Sequence, residues 1–400
     1  MKKLFFLFLL WEVSACAPGS HLSKQRTGSV QLPTLGWEWQ ATGAETTLSR
    51  FKELKEAGVT CDFIYFPDLA TTEKGLKTAA AAGIKMVVYC PELKTDTKNA
   101  IQKIRGYPAL AGYFLSDEPS RGAFPELGEW AKKIHALDDR HFCYINLLPN
   151  YANEAQLGAP SYQAYVAAFI KEVPVPFLSF DHYPVIGDSL RWNWYQNLEI
   201  VSEEARSAQK PFWAFALTLS HGPYPIPTLA ELRLQVFSDL AYGAQGIQYF
   251  RYWTPQNTEW DFHHGPISGD HKRTEVYDRL KQVNNEIAHL SSVFLGASVI
   301  SVAHTGDTLP FGTRRLTNLP APIKALQTKG TGALVSVLKN GKEDFLVVVN
   351  RDFKMPMTLI LRCDPMVQKV LKDGSRVPAS AYDSTLEIDP GDAAIYSWKN

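Results

Sequence analysis

Neither sign of charge is in surplus in this 400-residue chain: Lys plus Arg and Asp plus Glu number 41 each, leaving a formal net charge of zero. A balanced chain has no basic field to hold a nucleic-acid backbone and no basic run to hold an anionic bilayer, so both are excluded as partners. Cysteine is scarce as well. The five present, Cys16, Cys61, Cys90, Cys143 and Cys363, are widely spaced and form neither a disulfide framework nor a zinc-ligand pattern. The last four fall in apolar runs and read as buried thiols. No glycine-rich dinucleotide fingerprint follows the first apolar run of the folded region, and neither a cofactor nor a metal is expected. The N-terminal apolar run, Leu4 to Trp11, is too short to span a bilayer.

That run follows Lys2 and Lys3, the charge layout of a signal peptide. Val13-Ser14-Ala15-Cys16 resembles the bacterial lipobox, whose cysteine is acylated and becomes the mature N-terminus. The expectation is therefore a signal peptide with lipobox over residues 1–16 and a polar tether over 17–34. The protein would be exported and anchored in the periplasm or at the cell surface, touching membrane only through Cys16. Ordinary secretion with an incidental Cys16 is the alternative.

From Leu35 to about Gly296, short apolar runs alternate with longer amphipathic stretches, the pattern of strand–helix units on a parallel sheet. Eight strands are predicted, at Gly36–Gln40, Cys61–Phe66, Lys85–Cys90, Leu110–Leu115, Phe142–Leu147, Phe177–Phe180, Phe212–Leu219 and Gly246–Trp253. Helices are predicted between them, among them Glu45–Glu56, Pro125–Leu137, Tyr162–Glu172, Leu229–Tyr242 and Thr274–Leu290, with Gly58, Gly83 and Gly243 as stops. Eight units over residues 35–296 match a closed α/β barrel, the (β/α)8 TIM barrel, better than an open doubly wound sheet. Beyond Gly296 the runs Phe345–Asn350, Met357–Arg362, Gln368–Lys372 and Ala393–Trp398 are rich in β-branched and aromatic residues and separated by Asn-Gly, Asp-Gly and Pro-Gly turns. Residues 297–400 thus read as a small antiparallel β-sandwich, an accessory domain.

In such a barrel the C-terminal strand ends converge on one mouth. Strand one brings Trp37 and Glu38, strand four Asp117 and Glu118 before Pro119, strand five Asn146, and strand six Asp181, His182 and Tyr183. Strand seven leads to His221, and strand eight to Arg251 and Trp253. Carboxyl groups at a strand end are candidates for proton transfer, although Asp117 or Ser116 as cap, with Pro119 near the first turn, also suits a helix N-terminus. A mouth of acids, His, Arg and aromatic rings suits a carbohydrate, whose hydroxyls bond to charged groups and whose faces lie on rings. Any single member is equally compatible with packing; the convergence carries the reading.

Along Leu110 to Gly296 the chain resembles the clan A glycoside hydrolases, most closely the family 42 β-galactosidases. The residues that carry the likeness are the Asp117-Glu118-Pro119 motif, Ser179-Phe180-Asp181-His182-Tyr183-Pro184, Lys210-Pro211-Phe212-Trp213, Ala241-Tyr242-Gly243 through Trp253, and Glu259 with His263-His264-Gly265. The resemblance implies that Glu118 is the general acid/base, with Asp117 where the family has Asn. It also implies a nucleophilic Glu late in strand seven, a position that counts to Ala216, and no acid occurs between Lys210 and Glu231. The expectation is therefore a hydrolase acting on an oligosaccharide or polysaccharide, with Glu118 as acid and a displaced second carboxylate. Asp181 is the first candidate for that base and Glu38 the next, at the separation of about 6.5–9.5 Å that leaves room for water and gives inversion. Asp117 would raise Glu118 by repulsion. Trp37, Glu38, Asn146, His182, Tyr183, His221, Arg251 and Trp253 are expected to bind the sugar. The competing reading is a barrel that binds glycan without cleaving it.

Overall fold

The computed structural model describes residues 31–38, 43, 46–256, 259–382 and 385–399. The signal peptide, the lipobox and all but the last residues of the tether lie outside them. Residues Leu32–Asn400 form one compact unit. Leu32 is already buried in it, its N–H donating to Ser291 Oγ at 3.0 Å, and Thr34 is the first residue of a strand, so the predicted tether ends earlier than residue 34.

Eight strands, β1 Thr34–Glu38, β2 Cys61–Tyr65, β3 Lys85–Tyr89, β4 Leu110–Asp117, β5 Phe142–Asn146, β6 Leu178–Phe180, β7 Phe212–Leu217 and β8 Gly246–Phe250, pair in parallel. Their order is β5-β4-β3-β2-β1-β8-β7-β6. A parallel bridge between Leu147 and Phe180 brings β5 back to β6. Helices follow the strands in turn: α1 Leu48–Glu56, α2 Leu69–Ala82, α3 Thr97–Ile104, α4 Phe124–Leu137, α5 Tyr162–Glu172, α6 Trp194–Ser207, α7 Leu229–Ala241 and α8 Glu275–His289. The fold is the (β/α)8 barrel that the alternation predicts. Local chemistry sets the boundaries. Ser161 caps α5 by accepting from Ala164 N, Thr228 and Glu231 form a capping box on α7, and Gly83 ends α2 in the left-handed conformation at φ 73°.

Strand parity divides the barrel into two layers. Leu35, Trp37, Phe63, Val87, Phe114, Tyr144, Phe177, Trp213, Phe215 and Leu217 fill the interior. Ile64, Met86, Val88, Tyr113, Ile145, Leu178, Phe180, Ala214 and Ala216 pack outward on the helices. Cys61, Cys90 and Cys143 are buried free thiols, while Cys363 is only half-buried.

The C-terminal part holds more strands than the sequence indicated: β9 Ser298–His304, β10 Ile323–Lys329, β11 Ala333–Asn340, β12 Glu343–Asn350, β13 Met357–Cys363, β14 Gln368–Val370, β15 Arg376–Pro378, β16 Leu386–Ile388 and β17 Ala393–Lys399. A six-stranded sheet, β9-β11-β12-β17-β14-β15, faces a three-stranded one, β10-β13-β16. Val335, Leu346, Val348, Leu359, Leu361, Tyr396 and Trp398 fill the space between them. The other face of the large sheet, Leu334, Leu338, Phe345, Val347 and Ile395, joins the same core as Leu232, Leu234 and Phe237 of α7. Charges seal the edge of this contact. Arg233 of α7 reaches Glu286 of α8 and, at 3.4 Å, Asp392, while Lys372 contacts Glu286 at 3.1 Å. Gly391 allows the close approach: at φ +67°, a Cβ there would stand 2.0 Å from Ala230 O.

Candidate active site

The site begins with an irregularity in β4. Phe114 faces the interior opposite Tyr144, so strict alternation would point Asp117, three residues on, toward the helices. A bulge intervenes: Phe114 pairs with Tyr144, Ser116 with Ile145 and Asp117 with Asn146. One extra residue restores the parity and turns Asp117 into the mouth. The ladder then extends one step, Glu118 N–H donating to Asn146 O at 2.9 Å. Glu118 itself takes φ +43°, a left-handed conformation that a residue with a Cβ adopts only when its surroundings impose it.

Asn146 ties the acids together. Its Nδ2 donates to Asp181 Oδ1 at 2.8 Å and to Asp117 Oδ1 at 3.2 Å, while its Oδ1 accepts from Ser179 Oγ at 2.9 Å. The Ser179 hydroxyl fixes which way the amide points, leaving the nitrogen for the carboxyl groups. Ser179 is held in turn by Gln248 Nε2 at 2.8 Å, and the Tyr144 hydroxyl bonds Gln248 Oε1 at 2.5 Å. This buried network forms the floor of the site, and every member comes from an inward position of β5, β6 or β8.

Glu118 and Asp181 lie close enough for each to perturb the other's titration. Enclosure, then the charges of Glu118 and Asp117, raises Asp181 well above the usual carboxylate range. Glu118 is raised by enclosure and drawn back by its bond to Asp181. Enclosure, then the charge of Glu118, pushes Asp117 up to about 7. Asp117 and Glu118 remain exposed and Asp181 half-buried, so the enclosure is that of a recessed mouth open to solvent. Enclosure and mutual repulsion both favour a cluster that keeps a proton.

Of the residues singled out in the sequence, Asp117, Glu118, Asn146 and Asp181 meet in one cluster. Tyr183 stands beside it, within reach of the Asp181 charge, its ring stacked on Phe250 at 5.6 Å. The others serve the frame. Trp37 is 2% exposed and packs inside the barrel against Phe63, Phe114, Tyr144 and Phe215. Glu38 is buried; it accepts Trp253 N–H at 2.9 Å and lies 3.7 Å from Arg251. It therefore anchors the segment after β8 and is not placed as a base, and Arg251 and Trp253 are the groups it holds. Trp253 is 6% exposed and carries the Arg50 guanidinium over its ring at 5.1 Å. His182 is buried behind Tyr151, ring to ring at 5.0 Å, and burial followed by the Arg191 charge pushes it down to about 3. His221 packs among Tyr224 and Phe262 and falls to about 4 by burial. Both imidazoles are neutral at physiological pH.

Ala216 is fully buried and faces the helix layer. The inward positions late in β7 are Phe215 and Leu217, followed by Leu219, so the count that led to Ala216 lands on the wrong face, and the inward positions carry no carboxyl group either. Sequence reading missed Tyr151, which stands near Asp181 and Glu118 with Arg191 stacked on it at 4.2 Å. It also missed the roles of Tyr144 and Gln248. Polar atoms at inward positions of otherwise apolar strands were the available signal for those two; nothing in the loop after β5 marks Tyr151. Among the described residues, no group of three or more His, Cys, Asp or Glu is arranged to hold a metal ion.

Residues 156–290 match the family model of the family 42 glycoside hydrolases, described as β-galactosidase. That stretch contains Asp181, β7 and β8. No curated protein matches the sequence. Among solved structures, the chain is similar to a catalytic mutant of a family 42 β-galactosidase from G. stearothermophilus, with 8% identity, a TM-score of 0.61 and coverage of 92% of this chain and 98% of that one. It is also similar to a β-galactosidase from Bacillus circulans sp. alkalophilus, with 9% identity, a TM-score of 0.60 and coverage of 92% and 99%. A cold-adapted β-galactosidase from Rahnella sp. R3 aligns with 10% identity, a TM-score of 0.55 and coverage of 93% and 99%. At these identities the likeness establishes the fold, a (β/α)8 barrel like theirs.

Proposed function

We propose that the protein is a glycoside hydrolase that cleaves the O-glycosidic bonds of a glycan, with Glu118 delivering a proton to the leaving oxygen. The observation that carries this reading is the gathering of Asp117, Glu118 and Asp181 at the C-terminal mouth of the barrel, where Asn146 Nδ2 bonds Asp181 at 2.8 Å and Asp117 at 3.2 Å and all three carboxyl groups are raised by enclosure. A glycosidic oxygen is a poor leaving group until it is protonated, and a carboxyl group that keeps its proton near neutral pH supplies that step. Asp181 and Asp117 keep the proton on the cluster, and Asn146 orients both. Tyr151, 40% exposed beside the acids, offers a ring face to the sugar. The residue pattern and the family 42 match support the same substrate class. A pure glycan binder gains nothing from three carboxyl groups crowded at mutual electrostatic cost, which weighs against the non-catalytic reading.

Release of reducing ends from a panel of glycans and aryl glycosides tests it. Replacing Glu118 by Gln removes the acid while keeping the shape, and is expected to lower turnover on poor leaving groups by about a hundredfold or more, and less on activated aryl glycosides. Binding to glycans with no release from any of them would favour the non-catalytic reading.

A further inference from the structure

Beside the acids stands a cation that has no carboxylate partner among the described residues. Arg191 follows the hairpin in which Val185 pairs with Leu190, and three contacts fix its place. Its backbone N–H donates to Pro184 O at 2.7 Å, its guanidinium stands 4.2 Å from the ring of Tyr151, and Nη2 donates to the Tyr224 hydroxyl at 2.9 Å. Each contact leads back to Asp181. Pro184 lies just beyond it in the chain, at a reach of no more than about 10 Å. Tyr151 packs on the ring of His182 at 5.0 Å, and Tyr224 on the ring of Tyr183 at 5.9 Å. The guanidinium therefore belongs to the same mouth as the acids.

Other arginines that the fold encloses are matched. Arg251, after β8, lies 3.7 Å from Glu38, Arg233 reaches Glu286 and Asp392, and one nitrogen of Arg351 bonds the backbone carbonyls of Thr305, Thr308 and Thr331. Arg191 is half-buried, and its one acceptor is the oxygen of a phenol. Its Nε is enclosed with no partner, and Nη1, which solvent reaches, has none either among the described residues. Clamping two rings does not account for this. The attraction between a cation and a ring is weak beside the cost of taking a charge out of water, and an uncharged side chain would pack there without that cost. A guanidinium kept in this state at the mouth has donors to spare for a group that arrives with the ligand.

We infer that Arg191 receives a carboxylate of the substrate, so that the glycan cleaved carries a uronic acid at, or next to, the sugar whose glycosidic bond is broken. This rests on the hydrolase reading above and specifies its substrate class. Nη1 and Nη2 project N–H groups side by side from the end of the guanidinium, and the two oxygens of a carboxylate match that fork. The sign of the charge matters as much as the geometry. Asp117, Glu118 and Asp181 by themselves repel an acidic sugar, so a mouth built of acids takes one only where a fixed cation offsets them. Tyr151, 40% exposed against the guanidinium, keeps an apolar surface for the sugar carbons beside the charged group.

The purified full-length protein is tested on uronate-bearing polysaccharides before and after chemical reduction of their carboxyl groups to hydroxymethyl, which removes the charge and keeps the linkages. 4-Nitrophenyl uronides are compared with the corresponding hexosides. Carboxyl reduction is expected to lower kcat/KM at least about tenfold. The same preference among aryl uronides puts the carboxylate on the sugar attacked; a preference confined to the polysaccharides puts it on a neighbouring one. For the wild-type protein, raising NaCl to about 1 M should raise KM for the native glycan and leave KM for the reduced glycan unchanged. Arg191→Met should bring the ratio of the two kcat/KM values close to unity, and Arg191→Lys, which keeps the charge and loses the fork, should retain part of it. Equal or faster cleavage of the reduced glycan by wild type, or an Arg191→Met variant with the wild-type ratio, overturns this inference and leaves the hydrolase reading standing. So does a preference for a sulfated glycan over its desulfated form with no response to carboxyl reduction. Failure to release product from any glycan or aryl glycoside overturns both.

Discussion

Replacing Asp117 by Asn is expected to stabilise the protein at pH 8 and leave it unchanged at pH 4. In the folded protein this carboxyl is raised from 3.8 to about 7, so across that window the native state holds a proton that the unfolded chain has released. Stability attributable to Asp117 therefore falls as pH rises from about 4 to about 7 and stays at its reduced level above. At ~1.4 kcal/mol for each tenfold change in proton affinity, the full interval corresponds to ~4 kcal/mol. Asp117 is exposed, and solvent screening discounts that ceiling to roughly 1–2 kcal/mol. Asn is nearly isosteric, and its side-chain oxygen can still accept from Asn146 Nδ2, now 3.2 Å from Asp117 Oδ1. What the substitution removes is the charge. Thermal unfolding of the two proteins at pH 4 and pH 8 gives the comparison directly. A higher midpoint for Asp117→Asn at pH 8, with no difference at pH 4, is expected. A variant equal or less stable at pH 8 would refute the claim that the acids repel one another in the native mouth.

Gly391→Ala places a methyl group 2.0 Å from Ala230 O at a positive φ; a loss of about 2 kcal/mol or more is expected in denaturant titration, and a neutral result would mean that the sheet does not sit on α7 as described. Asp138 is buried and accepts from the Tyr113 hydroxyl and His141 Nδ1, each at 2.6 Å. Asp138→Ala leaves the Tyr113 hydroxyl without its acceptor and should cost about 2–4 kcal/mol. Burial raises the Asp138 carboxyl, but the bonds from Tyr113 and His141 hold it below its ordinary value. The part of its contribution that depends on ionisation is therefore present at neutral pH and lost as pH falls below about 4, so the gap between wild type and Asp138→Ala should narrow in acid. On the lipobox reading of Cys16, expressed protein should partition with membranes and Cys16→Ser should release it; wild-type protein wholly in the soluble fraction would end that proposal.

The sequence alone determined the barrel, because its helices and strands are written in local periodicity: Tyr162–Glu172 was expected and found with the same ends, and the other predicted barrel elements lie within a few residues of those observed. It determined the sandwich less completely. The strands Ser298–His304, Ile323–Lys329, Ala333–Asn340, Arg376–Pro378 and Leu386–Ile388 went unread, the third of them even though the Asn340-Gly341 turn follows it directly. It also named the four polar residues of the cluster, Asp117, Glu118, Asn146 and Asp181, since strand ends can be counted along the chain. Which strand-end side chains reach the mouth was decided only in three dimensions. The bulge between Phe114 and Ser116 reverses the face of everything after it, and strict counting across such a bulge fails. The same parity sends Ala216 outward and Trp37 into the core. That Asp117 and Asp181 share one amide depends on β4, β5 and β6 lying side by side, so that Asn146 bonds to both. Distances between residues more than sixty positions apart are set by closure of the barrel, which no local pattern in the sequence records.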